Sequence, residues 1–80
     1  MMSDKKEIIE AAMKNRAKIT FMYSKINPKT GRPQKKSERS RRTIRPIKFA
    51  YYPFAVVGHC DLRDSMRTFA ISRMYEIQQI

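Results

Sequence analysis

Residues 53–74 read "PFAVVGHCDLRDSMRTFAISRM", a run that opens as a buried strand and then sets Arg63, Arg67 and Arg73 among apolar side chains. The β-branched opening "FAVVGHC" predicts the most buried strand of the chain, with Gly58 marking a bend or bulge in it. "RDS" supplies a turn, and "MRTFAISRMYEIQQI" supplies one or two further strands. In a regular strand Arg67, Phe69, Ile71 and Arg73 share one face, which places two guanidinium groups beside core positions. A core does not ordinarily take that arrangement.

Toward the N-terminus, "RRTIRPIKFAYY" is extended, and Pro46 argues for a sheet edge or a bulge in place of a regular central strand. Before it lies "AKITFMYS", in which Ile19, Phe21 and Tyr23 alternate with Lys18, Thr20 and Met22, the period of a half-buried strand. The chain begins with a helix over about residues 4–16, since Ile8, Ile9, Ala12 and Met13 recur at helical spacing and Ser3 or Asp4 can cap the first turn. One helix followed by four or five short strands with local connections predicts a mainly β domain: an N-terminal helix capping a small antiparallel barrel, with strands over about 17–23 and 42–80. Phe21, Phe49, Phe54 and Phe69 are assigned to its core. Eighty residues, 1–80, suit a single domain, and a chain of this size buries only about 60–65% of its unfolded surface.

Charge narrows the function classes. The chain has 18 Lys+Arg against 7 Asp+Glu, a net +11. Between Lys14 and Lys48 lie thirteen basic residues and a single acid, Glu38, so the excess belongs to one segment. Such a field attracts polyanions. The basic segment lacks the amphipathic helix with large apolar anchors that a membrane surface requires, so no membrane partner is expected. Nothing resembles a signal peptide or a membrane-spanning run, and the chain reads as cytoplasmic. Cys60 is the only cysteine, which leaves it as a buried small hydrophobe. His59 is the only histidine, without paired carboxylates or an activated nucleophile, so neither catalysis nor a metal site is expected, and no cofactor.

Taken in order, the helix, the strand closing on Tyr23, the "R-x-I-x-P" of Arg42 to Pro46, the apolar strand leading into "C-x-L-R" at Cys60 to Arg63, and "R-x-F-x-I-x-R-M" at Arg67 to Met74 resemble the WYL domain family over roughly residues 5–80. The Trp-Tyr-Leu that names the family falls on Phe54-Ala55-Val56, the His frequent between Cys60 and Leu62 is Asp61, and the Asp ahead of the last arginine is Ser72. The arginine set is intact. The resemblance implies an Sm-like (Src-homology-3-like) β-barrel serving as an accessory module of larger bacterial proteins. These include transcriptional regulators, regulators linked to CRISPR systems and DNA helicases, where the domain senses or binds nucleic acids or nucleotide-like ligands through a basic pocket.

Two readings of the arginines follow. In one they snorkel from strand ends and pair with Asp64 or Glu76. In the other Arg63, Arg67, Arg73 and Arg45 converge at the barrel rim on phosphates or a flat base, which suits a planar guanidinium fork. With Arg41 and Arg42 they form the expected nucleic-acid site, and Tyr23 and Tyr51 are the candidate stacking platforms. Residues 24–41 read as a mobile loop or long hairpin arm, whose Lys29, Arg32, Lys35, Lys36 and Arg39 track a sugar-phosphate backbone without reading sequence. The expectation is a non-catalytic accessory module preferring single-stranded DNA or RNA with little sequence specificity, its other partners being the domains of a parent protein. Two alternatives stand beside it: a sensor of a small anionic nucleotide-like ligand, and an interaction module using a sheet edge near Pro46.

Overall fold

The computed structural model describes residues 5–80; Ser3 and Asp4, the expected caps, lie outside the described residues. Helix α1 (Lys5–Lys14) buries Ile9 and Ala12, with Ile8 and Met13 packed beside them, as the spacing predicts. It stops two residues short of the expected end. Arg16 turns left-handed at φ 53, and the N–H groups of Arg16 and Ala17 bond back to the carbonyls of Met13 and Ala12 at 3.1 and 2.8 Å. This is the Schellman closure that glycine usually provides, made here by an arginine.

Five strands follow: β1 (Ile19–Tyr23), β2 (Ser40–Ala50), β3 (Ala55–Cys60), β4 (Ser65–Ala70) and β5 (Met74–Gln79), in sheet order β4-β3-β2-β1-β5 with every pairing antiparallel. The class is mainly β with an N-terminal helix, as expected. The barrel is not closed by hydrogen bonds, since β4 and β5 share no ladder. Between them the chain makes a 3₁₀ turn, Ile71–Arg73, so the last fifteen residues hold two strands and the shared parity of Arg67 and Arg73 does not run through.

What curls the sheet is an aromatic contact across its interior. Phe69 on β4 meets Phe21 and Tyr23 on β1 edge to face, at 5.3 and 4.9 Å between ring centres, although β3 and β2 lie between those strands in the sheet. The Tyr23 hydroxyl accepts the Ala70 N–H at 3.1 Å, giving the end of an edge strand the partner that a ladder would otherwise supply.

Two irregularities shape the curl. Pro46 lies on β2, the middle strand, where the register with β3 slips between Pro46 and Lys48; the bulge explains the proline, and the edge expected near it does not exist. Gly58 stands opposite Pro46, and a Cβ built there would lie 2.7 Å from the Arg45 carbonyl oxygen, a contact only glycine avoids. On β5 the register with β1 slips between Thr20 and Met22, and Glu76 takes a left-handed φ of 54. The extra residue lets Met74 and Ile77, three apart, both point into the core, which a regular strand forbids. Phe54 is the exception among the phenylalanines: it lies 73% exposed in the turn between β2 and β3.

Gly58→Ala is expected to cost about 1–3 kcal/mol, because the atom it strikes is backbone and cannot rotate away. Tyr23→Phe, which keeps the ring and removes the acceptor, is expected to cost about 1 kcal/mol. For a domain of this size that lowers Tm by about 4–8 °C. Thermal melts of both variants check these values.

Candidate functional site

Where β4 and β5 part, a cavity of about 360 Å³ opens on the surface, lined by Tyr23, Lys25, Ile26, Arg42, Arg67, Thr68, Phe69 and Arg73. Four of its side chains are cationic and none is acidic. Arg42 follows from the β2 pleat: it shares the inner face with Ile44 and Pro46 and is only 5% exposed. Its Nε donates to Ser40 Oγ at 3.1 Å, the one side-chain hydrogen bond it makes. The side chain lines the cavity. Arg73, at the end of the 3₁₀ turn, places its guanidinium carbon 5.4 Å from the Tyr23 ring centre, and its carbonyl accepts the Ser24 N–H at 3.1 Å. Arg67 enters from β4, opposite Gly58, and is exposed.

Among the described residues none of these arginines pairs with acid. Among the described residues the ion pairs are Lys18–Asp61 and the contacts of His59 with Asp61 and Asp64. Burying a guanidinium without a counter-charge costs stability, and a ligand anion in the cavity would offset that cost. A planar donor fork at the base with mobile cations at the mouth suits a phosphate.

The expected site is therefore divided. Arg42, Arg67, Arg73 and Tyr23 come together. Tyr23, however, is 7% exposed and edge-packed on both phenylalanines, so it forms the floor of the cavity and offers no open face to a base. Arg41 points to the other face of β2 and donates to Thr20 Oγ1 at 3.2 Å. Arg45 lies against a separate, mostly apolar cavity of about 280 Å³ with Met13, Arg16, Pro46 and Ile47. Arg63 sits in the turn between β3 and β4 and lines neither cavity. Tyr51 is 86% exposed in the turn after β2, with Tyr52 and Phe54 beside it, so neither of the paired tyrosines lies on a strand.

The basic arm is a hairpin. Ile26 bridges Pro33, the Asn27 carbonyl closes the turn at Gly31 with a 2.7 Å bond, and the buried Ser24 hydroxyl donates to the Gln34 carbonyl at 2.6 Å. Lys29, Arg32, Lys35 and Lys36 stay on its surface or just beyond it, whereas Arg39 folds back over Tyr75. Lys25 was not among the expected site residues. Its only sequence signal is its place just past the strand that Tyr23 closes. His59 is satisfied by Asp64, 3.0 Å from its Nε2, and Cys60 is buried, as their sequence contexts suggest.

No helix among the described residues is long and apolar enough to cross a membrane. A search of curated proteins returns no match. The family model of the WYL domain, a module of nucleic-acid-binding and ligand-sensing regulators, matches residues 4–79. The helix, the five-stranded sheet and the arginine-lined opening all fall within that span, and the chain belongs to the WYL domain family.

Proposed function

We propose that this domain is a non-catalytic accessory module that holds single-stranded nucleic acid by its phosphates, attached to a larger helicase or transcriptional regulator. The observation that carries the reading is Arg42: a buried arginine with no carboxylate partner among the described residues, lining a cavity that Arg67, Arg73 and Lys25 share. Phosphate contacts of this kind position a strand without reading bases, which is why little sequence specificity follows. Single strands are favoured over duplex because α1 buries one face against β2 and β5 and mixes Lys5, Lys6 and Lys14 with Glu7 and Glu10, so it is not the strongly basic helix that a major groove takes. Exposed Tyr51 and Phe54 supply open rings for unstacked bases. A second reading has one observation in its favour: about 360 Å³ lies within the range of small-ligand sites, so a free nucleotide-like anion fits the same pocket.

Fluorescence anisotropy with labelled single-stranded DNA, single-stranded RNA and duplex DNA over a salt series tests this. Contact by about four or five cations gives a log–log salt slope near −3 on single strands, with duplex binding weaker. Arg67→Ala/Arg73→Ala should weaken binding and flatten the slope. Binding only of mononucleotide, with oligonucleotides ignored, would move the assignment to the sensor reading.

Arg42 gives a sharper check, since function and stability should move oppositely. Arg42→Met removes an uncompensated buried charge and is expected to stabilise the free domain by about 1 kcal/mol while abolishing nucleic-acid binding. That gain corresponds to a Tm rise of about 4–8 °C. A variant that melts lower and binds as tightly as the parent would make Arg42 a structural residue and sink the proposal.

A further inference from the structure

Away from the pocket, a second pair of cations meets on one aromatic ring. Tyr75 on β5 carries both: the Arg39 guanidinium carbon lies 3.6 Å from its ring centre and Lys5 Nζ lies 4.5 Å from it. Arg39 Nε is buried with no hydrogen-bond partner among the described residues, and none of those residues places a carboxylate within 4 Å of either cation. Burial, and then the neighbouring Arg39 guanidinium, hold the Lys5 ammonium below its ordinary range. Two like charges thus meet one ring, and Lys5 Nζ also donates to the Ile71 carbonyl at 3.4 Å. The two groups offer a fork and a point charge to the phosphate oxygens of a nucleic-acid strand, which would relieve the repulsion between them.

Its position ties it to the pocket. The 3₁₀ turn Ile71–Arg73 separates the two: the Ile71 carbonyl holds Lys5 on one side, and Arg73 lines the arginine cavity on the other. Ser72, between them, is exposed and leaves the rim open. On β1 the same junction is seen in register, with Met22 opposite Tyr75 and Tyr23 opposite Met74. We propose that Lys5 and Arg39, held against Tyr75, form a second phosphate site that takes a further phosphate of a single strand whose first contact is the Arg42–Arg67–Arg73 pocket. This inference rests on the nucleic-acid reading above and adds a direction: the strand leaves the pocket across Ser72 toward the start of α1.

The test titrates a labelled oligothymidine of about 12 nucleotides and a labelled dinucleotide carrying a 5′-phosphate against the parent domain, Lys5→Gln/Arg39→Gln and Arg42→Met. The glutamine pair should bind the dinucleotide as the parent does. It should lose roughly tenfold in oligomer affinity, with a salt slope shallower by about 1.4 for the two missing cations. Lys5→Arg/Arg39→Lys, which keeps both charges, should restore the slope and guards against a folding defect in the glutamine pair. Parent-like oligomer affinity and slope in the glutamine pair would overturn the second site and leave the pocket standing. Equal loss of both probes by a normally melting glutamine pair would also overturn it, since the site would then not be separable from the pocket. If the parent binds neither probe, or Arg42→Met binds both, the pocket reading fails and this inference falls with it.

Discussion

The closure made by Tyr23 is the constraint on which the other features depend. α1 covers part of the buried face of the sheet, and the sheet's two ends are drawn together without hydrogen bonding between β4 and β5. The Tyr23 ring meets Phe69 from the opposite side of the curl, its hydroxyl engages Ala70, and Arg73 lies over it. One side chain therefore joins the core, the edge of the sheet and the cationic cavity. Because closure is made by side chains, the rim stays open where a ladder would have filled it, and the cavity occupies that gap.

Charge is arranged along the same axis. Asp61 and Asp64 sit in the turn between β3 and β4, where Asp61 pairs with Lys18 and Asp64 lies 3.0 Å from His59 Nε2; these exposed contacts contribute little to stability. At the open end the cations are left without acids, so the potential there is set by the fold and is not cancelled locally. That separation is what makes the opening attractive to phosphate, and the buried guanidinium of Arg42 is its most costly element.

Much of this architecture was legible because simple periods were kept. The alternation of Ile19, Phe21 and Tyr23 and the stripe of Ile8, Ile9, Ala12 and Met13 matched burial residue for residue or nearly so. Reading failed where one residue is inserted or where a non-glycine takes a left-handed conformation, since neither leaves a compositional mark. Glu76 sits in such a bulge, and Arg16 closes a helix in glycine's place. The site was legible in part for the same reason. Arg42 and Arg67 lie on strands whose faces can be counted, but the parity linking Arg67 to Arg73 was broken by a 3₁₀ turn, and both still reached one cavity. Arg63 fell into a turn, Phe54 was carried out of the core by another, and the meeting of Lys5, Arg39 and Tyr75 depends on segments far apart in the chain, which no local pattern encodes.

The Ser24–Gln34 bond at the base of the hairpin arm separates two kinds of freedom. Below it, Lys25 is held at the cavity by the bonds that its own N–H and carbonyl make with Gln34. Above it, Ile26 still lines the cavity, but residues 27–33 form an exposed turn, and doubling a loop of this kind costs only about 0.6 kcal/mol in closure entropy. The tip of the arm is thus an adjustable tether on a fixed collar: a longer or shorter tip would leave the Ser24–Gln34 collar, and with it the placement of Lys25, unaltered.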